Sequence, residues 1–202
     1  MGFFPFNTNR TREAQSDTPG VRTALLSPVM YSPGSPAAAD VDWFFTGVMA
    51  LGPYTLLHTA PDVGARSVTI RRTDDGVGAA DTFGTVKIEG TDLAGNAITE
   101  TLTPTVSGTV YSTAKAFATV TAVTSIGWVI GGAADAFVVG FGDVLGLPDK
   151  LTDAAQVICA SLNGVLEATR PTVTVSATAL ENNTVDLNSA CNGKPVKIYY
   201  LV

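Results

Sequence analysis

The sequence predicts an all-β protein, with a β-sandwich or barrel-like domain preceded by an extended N-terminal arm. From residue 41 onward, short segments rich in β-branched residues alternate with turns that contain Gly, Asn, Asp or Pro. That spacing is typical of sandwiches and barrels. A weak helical pattern at 37–50, "AAADVDWFFTGVMA", is the competing signal. We therefore expect an arm at 1–40 and a β-sandwich domain at 41–202.

The arm at 1–40 is predicted from its prolines and its large apolar residues. Pro28, Pro33 and Pro36 exclude a helix and a central strand, and proline holds a chain extended. A disordered tail is the alternative, but a solvated tail rarely carries so many large apolar side chains. We expect these side chains to anchor the arm on a neighbouring chain; they are Phe3, Phe4, Phe6, Leu25, Leu26, Met30 and Tyr31.

Predicted strands follow one another through the domain. Alternation of apolar and polar residues, or enrichment in β-branched residues, favours strands over helices in these segments. Inside the segment 154–170, the pair Asn163-Gly164 predicts a tight hairpin turn. The predicted strand segments lie at 54–60, 66–72, 84–91, 97–103, 114–131, 136–148, 154–170, 171–177 and 194–202.

The segment 84–103, "GTVKIEGTDLAGNAITETLT", predicts a β-hairpin. Apolar and polar residues alternate in its first strand, and "DLAGN" supplies the Asp, Gly and Asn that tight turns need. In the returning strand, Glu100 shares a face with Ile98 and Leu102. An edge strand or a location at the end of a sheet tolerates such a charged residue.

Composition argues against several classes of partner. The formal net charge is −6, so the chain gains nothing from neutralising phosphates, and no nucleic-acid partner is expected. No run of about 18 uncharged apolar residues is present, which argues against a membrane-spanning helix. Only 15% of the residues are charged, whereas globular domains average about 25%. The Thr, Ser, Ala, Gly and Val that replace them make a neutral surface suited to packing against other subunits.

No arrangement of residues in the sequence points to catalysis. The single histidine, His58, lies in the apolar segment "TLLHTA", which favours a structural role. A hydrolytic triad needs a nucleophile and an acid in contact with histidine, and no G-x-S-x-G motif is present. Trp43 and Trp128 have apolar neighbours, so we expect them in the core rather than at a sugar site. We predict no enzyme activity, no cofactor and no small-molecule substrate.

Cysteines and aspartates give weak signals for a metal site. Cys159 and Cys191 lie in strand-like segments and are expected to be buried, reduced thiols. Asp74, Asp75 and Asp81 lie in one glycine-rich loop, "TDDGVGAAD", and calcium takes oxygen ligands from such loops. The EF-hand spacing and its terminal Glu are absent. A solvated turn is therefore favoured, and no metal is expected.

Four stretches of the chain resemble a family of virion structural proteins of tailed bacteriophages. They are "SVTIRRTDDG", "VKIEGTDLAGNAITETLT", "AKAFATVTAVTSI" with the later "VGFGDVLGLP", and the closing "PTVTVSATALENNTVDLNSACNGKPVKIYYLV", and they cover most of 66–202. The family has no catalytic motif to carry over. The resemblance implies a structural component of the particle, and among such components a head decoration or cement protein.

These observations together predict a non-enzymatic, multi-copy protein of the virion. We expect it to bind the major capsid protein and copies of itself, as a homotrimer, and to stabilise the head. Free thiols fit assembly in the reducing cytoplasm of a bacterial host, and many copies make weak contacts add up. A tail, collar or fibre-base component is one alternative. A carbohydrate-binding β-sandwich that adheres to a host surface is another.

Overall fold

The computed structural model of the chain is all-β, which confirms the predicted fold class. It describes residues 26–76, 81–131 and 135–202, together with the backbone of short strands at 13–15 and 22–24. Among these residues, the helical turns are two 3-10 turns, at Ala154–Gln156 and Leu180–Asn182. No described residue belongs to a helix that is long and apolar enough to cross a membrane.

The described residues form sixteen strands. In chain order they are β1 (Glu13–Gln15), β2 (Arg22–Ala24), β3 (Pro28–Gly34), β4 (Asp40–Val48), β5 (Gly52–Pro53), β6 (Arg66–Thr73), β7 (Thr85–Thr91), β8 (Ala97–Leu102), β9 (Val110–Phe117), β10 (Thr119–Ile126), β11 (Ala136–Gly146), β12 (Val157–Leu162), β13 (Val165–Leu166), β14 (Thr172–Thr174), β15 (Thr184–Asp186) and β16 (Val196–Leu201). The segment 37–50, with its weak helical pattern, therefore contributes a strand, β4.

The strands pair antiparallel in four sheets. β1 and β2 form a pair of their own. The hairpin sheet has the strand order β5-β10-β7-β8, and the C-terminal sheet has the order β13-β12-β16-β3. The central sheet has the order β14-β15-β11-β6-β9, and β4 also pairs with β11.

Two buried clusters of apolar side chains lie between these sheets. The first core is enclosed by the hairpin sheet and the central sheet, as in a sandwich. It consists of Phe44, Met49, Tyr54, Val68, Ile70, Val86, Ile88, Ile98, Phe117, Val120, Val123, Trp128, Phe137, Val139 and Phe141. The second core lies under the C-terminal sheet and consists of Leu145, Leu147, Leu151, Val157, Ala160, Val185, Leu187, Cys191, Val196, Ile198 and Tyr200. β11 contributes to both cores and links the two halves of the molecule.

The predicted hairpin at 84–103 is confirmed. β7 and β8 pair antiparallel, with Val86 opposite Leu102. The turn between them is organised by Asp92, whose Oδ1 accepts the backbone N–H groups of Ala94 and Asn96, both at 2.9 Å. The side chain of Asp92 therefore supplies the hydrogen bonds that a tight turn needs.

Glu100 of the hairpin connects the two sheets of the sandwich. β8 is an edge strand of the hairpin sheet, which is one of the two positions that tolerate the charged residue on its apolar face. The Glu100 carboxylate accepts the backbone N–H groups of Ala114 and Lys115, at 2.8 and 2.9 Å. Both donors lie on β9, at the edge of the central sheet. The charge is therefore satisfied by the backbone of the opposite sheet.

Part of the predicted arm belongs to a sheet. β3, Pro28–Gly34, pairs with β16, so that Met30 lies opposite Tyr199. β3 is the edge strand of the C-terminal sheet, and proline is tolerated at an edge because one side of the strand makes no ladder hydrogen bonds. The prolines predicted an extended chain and the absence of a central strand, and both hold. The folded part of the chain nevertheless begins before the predicted boundary at residue 41.

The predicted strand at 54–60 is wrong. These residues are irregular, although they lie next to β5. Tyr54 N–H donates to Val123 O at 2.9 Å, whereas Leu57 N–H donates to Phe44 O at 2.8 Å. The segment crosses from one sheet to the other, so it cannot follow a single neighbouring strand. Its apolar residues predicted burial correctly for Tyr54 but not the regular pairing.

The Arg66 side chain ties together segments that are distant in the sequence. It is 0% exposed and donates hydrogen bonds to four oxygens. These belong to the backbone of Gly142 (2.8 Å) and Ala37 (3.0 Å) and to the carboxylates of Asp62 (2.7 Å) and Asp143 (3.2 Å). A buried guanidinium with this many acceptors is well satisfied. The interaction therefore fixes the loop at 62, the β3–β4 connection and β11 against β6.

We predict that Arg66→Met lowers the free energy of unfolding by about 3 kcal/mol, because the substitution leaves the oxygens facing Arg66 without their donors. Urea unfolding followed by tryptophan fluorescence measures the loss. Lys194→Met, at an exposed position, removes the same charge and serves as the control. Equal stability of the two variants would contradict a structural role for Arg66.

Candidate functional site

One face of the C-terminal sheet points away from the second core, and we call it the outer face. Side chains alternate along β16, which buries Ile198 and Tyr200 and turns Tyr199 outward. In the register of the sheet, Tyr199 lies between Met30 of β3 and Cys159 of β12. The row Met30, Tyr199 and Cys159 thus crosses three strands on the outside of the molecule.

A second row of residues runs beside the first on the outer face. Lys197 pairs with Ser161, and Ser161 pairs with Leu166 of β13. These three residues, together with Cys159 and Tyr199, line a shallow depression. Lys197 is the one charged residue in the two rows, so the outer face carries little charge.

The tight turn next to the outer face is the one predicted at Asn163-Gly164. Both residues have a positive φ, 54° and 78°, as a type I′ hairpin turn requires. Asn tolerates this backbone conformation better than other non-glycine residues do. The turn brings β13 back along β12 and so places Leu166 on the outer face.

Large apolar side chains of the C-terminal sheet are open to solvent. Met30 is 53% exposed and Leu166 is 62% exposed, and Val165 beside the turn is 71% exposed. Ile158, also exposed, is the extra residue of a bulge, because Val157 pairs with Tyr200 but Cys159 already pairs with Tyr199. Met30 and Leu166 share the outer face, whereas Val165 pairs with Leu162, which packs against the second core, and so points to the other side. Exposed apolar groups on one surface mark a site of contact.

The N-terminal segment joins the folded part at the edge of this same sheet. Ser27 N–H donates to Val202 O at 2.7 Å, and Val202 N–H donates to Ser27 O at 3.0 Å. The two residues extend the pairing of β3 with β16 by one step. Chain that precedes Ser27 therefore starts next to the outer face.

The residues predicted to anchor the arm divide into three groups. Leu26 is exposed, and Met30 lies on the outer face, so both are available to a partner. Tyr31 points the other way and packs against the chain's own second core, where burial raises its pKa. Four predicted anchors lie outside the described residues, namely Phe3, Phe4, Phe6 and Leu25.

A second set of exposed apolar side chains lies at one end of the sandwich, and we call it the edge patch. It consists of Val48, Leu51, Ile126 and Val129, which are 50% to 62% exposed. The pairing of Gly52 with Ser125 places Leu51 next to Ile126. No local pattern in the sequence indicates this patch, because its members come from two distant segments that only the pairing of β5 with β10 brings together.

His58, Trp43 and Trp128 make packing and hydrogen-bond contacts within the fold. His58 is exposed and stacks on Trp43, with ring centroids 4.1 Å apart and 18° between the planes. Trp43 lies at the margin of the first core, and its Nε1–H donates to Ala60 O at 2.9 Å. Trp128 is 2% exposed and lies in the first core, as predicted. The stacking of His58 on Trp43 fits a structural role for the histidine.

The two cysteines differ in exposure. Both are free thiols. Cys191 is 1% exposed, as predicted, but it lies in the loop before β16 and not in a strand. Burial raises the pKa of Cys191 to about 11. Cys159 is in a strand, as predicted, but it faces outward and is only half-buried, because the alternation of β12 places Ala160 in the core instead.

The loop with Asp74, Asp75 and Asp81 is not the fully solvated turn that the sequence favoured, because the Asp81 side chain is only 2% exposed. Asp74 and Asp81 come together, and the third carboxylate beside them is that of Asp135. Asp135 precedes β11, and the pairing of Thr73 with Ala136 brings it next to Asp74. Asp135 lies in a distant part of the sequence, so only knowledge of the β6–β11 register identifies it.

Comparisons with known proteins give no relative for this chain. No protein-family model matches it, and neither a curated protein nor a solved structure matches it significantly. The assignment of a function therefore rests on the chemistry of its surfaces.

We predict that one thiol per chain reacts with a maleimide at pH 7.5 in the native protein, and that this thiol is Cys159. Cys191 is buried and its raised pKa leaves almost no thiolate at that pH. Mass spectrometry of the labelled protein, before and after unfolding in urea, counts the modified thiols. Rapid native labelling of a Cys159→Ser variant would contradict the burial of Cys191.

Proposed function

We propose that this chain is a non-enzymatic structural protein of a bacteriophage virion, of the capsid decoration type. In this role it binds the lattice of the major capsid protein and stabilises the head. The observation that carries the proposal is the outer face, an exposed and nearly uncharged sheet surface. It lies beside Ser27, where the N-terminal segment joins the folded part. The sequence resemblance to tailed-phage virion proteins supports the same conclusion.

The outer face is suited to burial against another protein. Met30 and Leu166 are exposed apolar side chains on this face, and each contributes about 1.5–3 kcal/mol when it is fully buried. Tyr199 adds an aromatic side chain, a type enriched at the centre of interfaces. With Lys197 as the one charged residue in the two rows, few charges must be desolvated when a partner covers this surface.

The edges of the C-terminal sheet favour contact through its face. β3 carries Pro28 and Pro33, and β13 consists of two residues, Val165–Leu166. Prolines and very short strands prevent the addition of another strand at an edge. A partner therefore reaches this sheet from its outer side.

Assembly on a capsid in the bacterial cytoplasm agrees with the free thiols of both cysteines and with the small area of the outer face. Two free thiols are typical of proteins assembled in a reducing cytoplasm. A surface with a few aliphatic side chains gives a weak single contact, and a lattice presents many copies of its partner site. A trimer attached at several sites gains avidity from its geometry, which is why we propose a homotrimer.

We predict that Met30→Glu combined with Leu166→Glu weakens binding to capsids at least tenfold, because charges then have to be desolvated in the contact. Co-sedimentation with purified capsids that lack the protein measures binding. Leu57→Glu combined with Val106→Glu is the matched control. Leu57 and Val106 are 63% and 55% exposed and lie outside the C-terminal sheet.

The result distinguishes the surfaces and the function. Normal binding by the outer-face variant, together with lost binding by the control, would mean that another surface carries the contact. Failure of the unaltered chain to bind capsids, with binding to purified tails, would replace the head by the tail as its location. A variant that lacks residues 1–26 keeps β3 in place and so measures the contribution of the N-terminal segment separately.

A further inference from the structure

Three aspartates from two distant segments, the β6–β7 loop and the residue before β11, meet at one end of the sandwich, where β6 ends and β11 begins. The antiparallel pairing of these strands makes Asp74 and Asp135 neighbours. Asp81 is held beside them, because the Gly131 N–H donates to its Oδ1 at 2.8 Å. One carboxylate oxygen of each aspartate lies within 4.8 Å of those of the other two.

Two of these carboxylates are buried and incompletely satisfied. Asp135 is 0% exposed, and the Asp81 side chain is 2% exposed. Asp135 Oδ1 accepts the N–H of Asp75 at 3.0 Å. Within the described part of the chain, Oδ2 of Asp135 and Oδ2 of Asp81 have no hydrogen-bond donor. Buried carboxylate oxygens without donors are costly, and such oxygens are the ligands of hard cations.

The arginine that borders the cluster does not complete it. Arg72 Nη1 is 3.9 Å from Asp81 Oδ2, which is too long for a hydrogen bond. Nε and Nη1 of Arg72 have no acceptor among the described residues, and the guanidinium lies over the Phe83 ring, 3.1 Å from its centroid. Three carboxylates and one guanidinium leave two negative charges uncompensated, which is the charge that one divalent cation neutralises.

We propose that Asp74, Asp81 and Asp135 bind a Ca²⁺ ion. Ca²⁺ accepts six to eight oxygens at about 2.3–2.6 Å, so that oxygens on opposite sides of the ion are about 4.6–5.2 Å apart. The three carboxylate oxygens, within 4.8 Å of one another, fit such a coordination sphere. Asp74 is partly open to solvent, which leaves room for water to complete the shell. Mg²⁺ requires a smaller and more regular octahedron, with ligands at about 2.0–2.1 Å, and fits carboxylate oxygens spread over as much as 4.8 Å less well.

The ion would hold together the segments that carry the edge patch. Met49, the residue after Val48, donates its backbone N–H to Asp135 O at 2.8 Å. Thr82, which follows Asp81, exchanges two backbone hydrogen bonds with Val129, both at 3.0 Å. Val48 and Val129 are members of the edge patch, so Ca²⁺ binding stabilises the backbone that presents this second apolar surface. The site is independent of the outer face and of the proposed attachment to capsids.

The first test is a Ca²⁺ titration of the full chain after removal of metals with EDTA. We expect Ca²⁺ at a hundredfold excess over its Kd to raise the Tm by about 5–10 °C. Isothermal titration calorimetry should give about one ion per chain. Hydrogen exchange of the Gly131 and Asp75 amides, which donate to the cluster, should slow when Ca²⁺ is added.

The second test uses Asp135→Asn and Asp74→Asn. Each removes one charge from the cluster, so each should abolish most of the rise in Tm with Ca²⁺. In EDTA, Asp74→Asn should be at least as stable as the parent chain, because repulsion between carboxylates is reduced. Asp42→Asn, an exposed aspartate of β4 outside the cluster, is the matched control and should respond to Ca²⁺ like the parent.

Two results would overturn the proposal. One is an unchanged Tm of the parent chain in Ca²⁺, together with equal destabilisation of Asp74→Asn in EDTA and in Ca²⁺. That pattern means that the aspartates serve only as partners of Arg72 and of the backbone. The other is a rise in Tm with Mg²⁺ but not with Ca²⁺, which would assign the cluster to the smaller ion. Neither result depends on whether the chain binds capsids.

Discussion

The fold depends on the buried guanidinium of Arg66, which joins its two cores. Arg66 lies opposite Leu145 in the β6–β11 register, and the pairing shifts between Phe141 and Leu145. This bulge turns Gly142 O and the Asp143 carboxylate toward the arginine. The guanidinium also lies 4.2 Å from the centroid of the Phe141 ring. Phe141 belongs to the first core and Leu145 to the second. The Arg66 side chain therefore fixes the part of β11 that passes from the first core to the second.

Local features of the sequence predicted the local structure well. The hairpin at 84–103 and the turn at Asn163-Gly164 follow from alternation and turn chemistry between neighbouring residues, and both are confirmed. One misplaced charge, Glu100, indicated an edge strand or a sheet-end location for β8, and the structure places β8 at the edge. What the sequence could not supply are pairings between distant segments. β3 joins β16 across nearly the whole chain, and no local pattern encodes that choice of partner.

The candidate sites show the same limit. The sequence predicted a strand at 194–202, but the row of Met30, Tyr199 and Cys159 across the outer face is known only from the register of three strands. The acidic loop was visible in the sequence through Asp74 and Asp81, whereas Asp135 joins them through the β6–β11 pairing. Function in this protein is therefore assembled by sheet topology, from residues whose individual sequence contexts are ordinary.

The distribution of charge connects the stability of the protein with its proposed role. Only 15% of the residues are charged, and Arg66, Arg72 and Asp135 are among those that are fully buried. Charges used inside the fold specify a geometry, since a buried ionic group tolerates few arrangements of its partners. The surface is left with fewer charges than the composition alone implies. Covering a sheet face with few charges requires little desolvation free energy. The prolines of β3 keep the edge of this sheet from pairing with other strands. The same sequence thus keeps its ionic groups for internal positioning and leaves side-chain faces, rather than strand edges, for contact with other subunits.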